Sequence, residues 1–397
     1  MRFEGESREQ LKNGATLLLH RAPALNTVSF TLVLPFAPAE PAGLYHYIEH
    51  LFFERAGELR AKEINAAMTA NGSEINGFTA QNYMCFSFTC RRAVFQSQLS
   101  LLYAMLSQRE YGEEEMERVL PVIRNEMFED NFYDVRSGDV IRSLWFDKRY
   151  NQSVLGDMRD LEEATDEELD SCRRMLFNKG MCAFLAGGFA EEDAALVRGT
   201  FGQMPLQPFR VPPPQERLHD ETPVNRRGRG RELQALVTYH VTDADRELKL
   251  AAHWLRSGLF DGLDAPVFAF FEEWGFKFYS VEADFAIRGD ELVFSYLAYI
   301  QKKEKSLFEV LVSRFEKTGE KADFVGLSRP YLYDDLLLLP DSPERLCSHY
   351  MEVWADLGEP VTLTEEAAFA EGLTNEKLAA LWRRVASSLR RIFYIAK

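Results

Sequence analysis

The sequence predicts an α+β protein built from two similar units in tandem, and three observations carry that prediction. Runs of strict apolar alternation stand beside runs of helical period, as where Tyr83–Cys90 is followed by Ala93–Ser107. The order of strands and helices in the first half returns about 200 residues later, as expected of an internal duplication. Between the halves, Met204–Glu232 contains VPPPQ and NRRGRGRE and lacks a sustained hydrophobic period, the mark of a linker. The chain therefore divides into 1–205, a linker at 206–232, and 233–397, each unit a mostly antiparallel sheet with helices packed on it.

Taken in order, Leu17–His20 and Val28–Phe36 read as strands, the second ended by Pro35 and the segment APAEPAG. A helix follows at GLYHYIEHLFFE, Gly43–Glu54. Ala61–Asn71 is a second helix, closed by Gly72. In Tyr83–Cys90, Met84, Phe86, Phe88 and Cys90 share one face of a strand. Glu113–Asn131 continues as a helix despite Pro121, which is expected to kink it or to mark a new first turn. Thr165 and Glu168 form a capping box for the helix to Phe177, and Met181–Gly187 returns to a strand.

In the second half, Leu236–Val241, Arg246–Phe260, Glu291–Tyr299 and Ser306–Thr318 repeat strand, helix, strand and helix, and Arg391–Ala396 closes the chain as a strand. Arg226, Arg227, Arg229 and Arg231 in the linker read as a solvated connector rather than an anion site, given the acidic balance of the whole chain.

With 397 residues, 46% of them hydrophobic, the chain can bury a sizeable core. A net charge of −16 disfavours nucleic acid and anionic membrane as partners and would attract basic or neutral peptides. No apolar run is long enough to span a bilayer, and MRFEGESREQ has no signal-peptide core, so the expected location is cytoplasmic. The five cysteines are scattered and lack C-x-x-C spacing, which predicts packed thiols rather than disulfides or a thiolate metal site.

Chemistry concentrates in Gly43–Glu54. His46, Glu49 and His50 stand at i, i+3 and i+4 and so project from one helical face. Two neutral imidazoles one turn apart can grip one zinc ion, and a carboxylate beside them can take a proton from water on that metal without joining the ligands. This is the H-x-x-E-H arrangement. A zinc hydrolase needs a third protein ligand, and the best candidate is Glu126 in VIRNEMFED. His240 and His253 are isolated and read as structural.

This set resembles the pitrilysin metallopeptidases, also called M16 peptidases or inverzincins, whose third ligand is a Glu at a similar distance downstream. The resemblance covers about the first 205 residues at motif level: the Asn13-Gly14 hairpin, NTVSFTLVLPF, SEINGFT from Ser73 to Thr79, Ser153-Val154-Leu155-Gly156 and MCAFLAGGF. It implies zinc on His46, His50 and Glu126, Glu49 as general base, and Asn76, Gly77 and Phe78 on an edge strand that pairs with extended substrate. Gly77 replaces the family's usual Ala, and Val119 stands where an acidic residue often precedes the third ligand, with Glu115 and Glu117 nearby.

The resemblance further implies two domains forming half of a clamshell, and an Arg and a Tyr from the second domain that stabilise the carbonyl oxygen. Aligned on Gly275 in FFEEWGFKFYSV, those positions are Phe271 and Phe278, and a one-residue slip gives Glu272 and Tyr279. Neither register supplies a cation. The expected function is a zinc endopeptidase subunit that cuts extended peptides or processes a peptide precursor, paired with a related subunit that supplies Arg and Tyr. A homodimer is the other pairing considered. The reading from another class is a non-catalytic peptide-binding or scaffold subunit.

Overall fold

Apolar alternation builds two sheets, and each has one face under helices of its own half. The structure is a computed structural model that describes residues 2–109, 111–132, 144–145, 148–209, 232–262, 264–278 and 280–396. The first half contains β1 (Glu6–Gln10), β2 (Thr16–Arg21), β3 (Thr27–Pro35), α1 (Leu44–Phe52), β4 (Arg55–Ala56), β5 (Leu59–Arg60), α2 (Ala61–Asn71), β6 (Asn76–Thr79) and β7 (Tyr83–Arg91). It continues through α3 (Phe95–Ser107), α4 (Glu113–Phe132), α5 (Met158–Glu162), α6 (Asp166–Leu176), β8 (Cys182–Gly187) and α7 (Glu191–Thr200). The second half contains β9 (Glu232–Val241), α8 (Arg246–Phe260), α9 (Pro266–Glu272), β10 (Val281–Arg288), β11 (Glu291–Gln301) and α10 (Lys305–Gly319). It ends with α11 (Phe324–Leu338), α12 (Pro343–Leu357), α13 (Leu363–Glu371), α14 (Asn375–Ala386) and β12 (Leu389–Ala396).

The first sheet runs β1-β2-β8-β3-β7-β6 and the second β10-β11-β9-β12. Read backwards, the second order matches the stretch β8-β3-β7-β6 strand for strand, so the repeated sequence pattern has become a repeated topology. All the ladders are antiparallel except β2 with β8. The segment before the connector remains tied to the first half, because Gln207 bridges Asn178 and exchanges backbone bonds with Phe177 and Lys179. Residues 210–231, including the four linker arginines, lie outside the described residues.

One core of the first half packs Leu32, Leu51, Phe52, Phe86 and Leu102 between sheet and helices, and its counterpart packs Tyr239, Leu255, Phe294, Phe315 and Trp382. The opposite sheet faces are covered crosswise. Leu346, Cys347, Tyr350 and Trp354 of α12 seal the outer face of the first sheet against Leu18, Val33, Cys85 and Phe184. Reciprocally, Leu144, Trp145 and Tyr150 seal the second sheet against Leu236, Val293, Leu297 and Phe393. Each large side chain so removed from water contributes about 1.5–3 kcal/mol. The halves thus exchange covering segments.

Polar clamps reinforce that exchange. Glu6 of β1 accepts backbone N–H bonds from Leu363 at 2.7 Å and Thr364 at 3.1 Å, at the start of α13, and the Tyr350 hydroxyl donates to it at 2.7 Å. Pro121 does not mark a new helix start: α4 runs unbroken from Glu113 to Phe132. Pro121 and Glu117 are both exposed, so water can satisfy the Glu117 carbonyl that the missing N–H leaves open. Every cysteine is free, and burial pushes the Cys85, Cys182 and Cys347 thiols up. No described helix is long and apolar enough to cross a membrane.

Candidate metal centre

α1 is set by an unusually close backbone contact. Gly43 precedes it at φ +92°, and a Cβ there would lie 2.6 Å from the Leu155 carbonyl oxygen and 2.8 Å from the Gly156 Cα. Glycine alone fits that approach. The Ser153–Gly156 segment thereby fixes the entry of α1, whose apolar residues Ile48, Leu51 and Phe52 face the core.

His46 and His50 leave α1 toward α4, which carries Glu126. His46 Nε2 lies 3.2 Å from His50 Nε2 and 3.2 Å from Glu126 Oε2, and His50 Nε2 lies 3.3 Å from the same oxygen. Among the described residues this is the one group of three or more His, Cys, Asp or Glu side chains spaced to hold a metal ion. The sequence-predicted trio is therefore brought together. Burial, and then the neighbouring His50, pushes the His46 pKa down to about 4, which keeps its imidazole neutral at pH 7. With both imidazoles presenting an unprotonated Nε2, the two ring nitrogens and the carboxylate oxygen would set lone pair against lone pair at this spacing, and a cation at their centre would satisfy all three at once. The donor set fits zinc, whose bonds of about 2.0–2.1 Å separate tetrahedral ligands by about 3.3 Å.

Glu49 stands beside this group, buried, and accepts a 2.7 Å hydrogen bond at Oε2 from the Thr79 hydroxyl. Burial pushes its pKa up to about 7, with the Thr79 bond pulling down and Glu126 pushing up. Such a carboxylate can both take and return a proton near neutrality. Thr79 is the residue that sequence reasoning passed over: it stood inside the SEINGFT segment without a role.

Asn76, Gly77 and Phe78 lie with Thr79 on β6, which pairs with β7 on one side and ends the sheet on the other. Asn76 is exposed, and Phe78 is 41% exposed with its ring against Tyr83. A Cβ on Gly77 would meet Glu49 Oε1 at 3.2 Å and the Phe53 and Phe86 rings at 3.0 Å, which explains a glycine where Ala is usual. Val119 is buried in the core, and the buried Glu115 pairs with Arg60 and caps the Gly112 N–H.

In the second half, Phe271 is fully buried, with its ring 5.1–5.9 Å from those of Phe276, Phe278, Phe308 and Phe315. Both positions aligned on Gly275 are thus given to packing. Glu272 is exposed, and Tyr279 lies outside the described residues. His240 pairs with Glu291 at 2.8 Å and His253 with Asp356 at 3.3 Å.

The site thus combines a helix carrying H-x-x-E-H, a carboxylate delivered by a second helix and an adjoining edge strand. Residues 36–157 match the family model described as Insulinase (Peptidase family M16). An uncharacterised zinc protease of Mycobacterium leprae is 24% identical over 223 residues, 54% of this chain and 50% of that protein. One from Rickettsia felis is 23% identical over 190 residues, 46% of each. The chain spans about half the length of the curated relatives it matches. Over whole chains, the fold is similar to an M16-like peptidase from Alicyclobacillus acidocaldarius, with TM-score 0.79, 17% identity and coverage of 100% and 98%. It is similar as well to an M16 inactive domain from Pseudomonas fluorescens, with TM-score 0.79, 13% identity and 98% coverage of both.

Proposed function

We propose that the chain is a zinc-dependent endopeptidase subunit that cuts extended peptides or processes a peptide precursor, in company with a related chain. The observation that carries this reading is the triangle of His46 Nε2, His50 Nε2 and Glu126 Oε2, with edges of 3.2, 3.2 and 3.3 Å. Zinc held there supplies a Lewis acid for the scissile carbonyl and an acidified water. Glu49 takes the proton of the attacking water at Oε1, the oxygen turned toward Gly77, while Thr79 holds Oε2. The same carboxyl then returns the proton to the leaving amine. The free edge of β6 offers main-chain bonds to an extended peptide, with Asn76 and Phe78 beside its side chains.

Pairing is favoured by the aromatic packing of Phe271 and Phe278. A developing oxyanion needs electrostatic help, and neither of these positions provides it. The test is metal analysis of the purified full chain beside its His50→Ala variant. Stoichiometric zinc in the parent and its loss from the variant support the reading, whereas equal zinc in both overturns the ligand set. Zinc without cleavage, alone or paired, would favour a peptide-binding subunit.

A further inference from the structure

The second half holds a cavity of about 290 Å³ among α8, α11, α12 and α13. Its buried side is apolar, with Trp254 of α8, Leu336 of α11 and Val353 of α12 in the lining. Its mouth is open to solvent, because Tyr331 is 58% exposed and Glu352 is exposed as well.

The charged groups around this space leave it negative. Four carboxylates line it: Asp335, Glu352, Asp356 and Glu366. The lining cations Lys249 and Arg256 are drawn instead to Asp290 at 3.6 Å and Asp261 at 3.5 Å, neither of which lines the cavity. Asp356 meets His253 at 3.3 Å and Asp335 meets Arg345 at 2.8 Å, whereas Glu352 makes no ion pair among the described residues. His349 registers the field: burial alone would lower its pKa, but Glu366 at 2.9 Å, with Glu352 and Asp335, raises it.

Trp254, Tyr331 and Phe369 add three aromatic rings to the same lining. Elsewhere in this half, rings meet the chain's own cations, as where Arg314 lies 4.7 Å from the ring centroid of Trp274 and Lys305 lies 4.1 Å from that of Tyr394. Among the described residues, no cation stands over the three rings of the cavity. Aromatic faces and carboxylates around one open space together select a cation with a flat face and several edge donors.

We propose that this cavity binds a guanidinium group carried on a short apolar chain. The planar cation stacks on a ring while its N–H edge donates to carboxylates, a combination that a compact ammonium cannot make. Glu352 is the carboxylate most available to it, and the buried apolar side suits the carbon chain. A free guanidinium compound and an arginine side chain share this chemistry.

The test is calorimetric titration of the full chain with butylguanidinium and, separately, with N-acetylarginine amide. Saturable binding of at least one is expected, and the tighter of the two tells a free compound from an arginine side chain. N-acetylcitrulline amide, of similar shape but uncharged, should not bind. Glu352→Gln alters one exposed side chain and should weaken binding about tenfold, the usual worth of a hydrogen bond between charged groups. Tyr331→Leu removes the ring and should weaken it about threefold, in keeping with an exposed cation–π contact. Absence of saturable binding by both cations, equal binding of the citrulline compound, or undiminished affinity in both variants would each overturn the proposal. None of these outcomes depends on zinc or on peptidase activity.

Discussion

Glu49 holds two opposed properties in one carboxyl group: burial favours its protonated form, and the Thr79 hydroxyl favours its anion. Glu49→Gln keeps the shape and the neighbouring ligands, so zinc content should stay constant while turnover falls by about 10²–10⁴, the usual worth of a general base. Turnover retained would move the role to another group. Thr79→Val removes only the hydroxyl. It should spare zinc and lower kcat roughly tenfold, since a hydrogen bond to a charged group contributes about 1.5 kcal/mol; an unchanged kcat would make Thr79 a packing residue. The pair His46 and His50 was legible because both sit on one helix, where spacing alone sets direction. Glu126 was reachable only through family resemblance, because nothing in VIRNEMFED states which helix it faces. Thr79 gave no chemical signal, since threonine in a strand is ordinary.

Among the elements, α12 and α13 bind the second half to the first through Glu6, Tyr350 and His20. Glu6→Ala would leave the first N–H groups of α13 and the Tyr350 hydroxyl short of an acceptor, and should cost about 1–3 kcal/mol in chemical denaturation. His20 is 3% exposed, and burial lowers its pKa despite Glu6 nearby. The unfolded chain therefore binds a proton more readily than the folded one as pH falls below 6.5, so this histidine withdraws stability on acidification. His349 has the opposite sign: burial disfavours its charge, but Glu366 at 2.9 Å, with Glu352 and Asp335, outweighs it and raises the pKa. Its contribution is present below 6.5 and is lost as pH rises. Denaturation at pH 5.5 and 7.5 should show His20→Gln relatively more stable at the lower pH and His349→Gln relatively less so; matching slopes in both variants would refute the assignment. Most strands and helices were readable from their period. The destination of α12 was not, because an amphipathic helix announces that it will be covered and leaves the covering surface unnamed.

At the scale of the whole molecule, a complete candidate metal site in one half stands beside Phe271 and Phe278 in the other. Alone, the chain should turn over an unstructured peptide library weakly or not at all, and a related chain bearing Arg and Tyr should restore cleavage. An arginine-to-alanine change in that partner should abolish cleavage while pairing, followed by size exclusion, persists. Full turnover by the isolated monomer would end the idea. The doubling of topology was visible in sequence because order of elements survives when side chains diverge.

The crosswise sealing of the two sheets bears on how such a chain could have arisen. A single ancestral unit, folded by itself, would have carried its covering segment away from its own sheet and left that sheet bare. It would have needed a second copy of itself, each lending the other a lid, before any gene fusion placed both on one polypeptide. Fusion would then free the copies to diverge: α1 carries His46, Glu49 and His50, while its counterpart α8 carries a single histidine, His253.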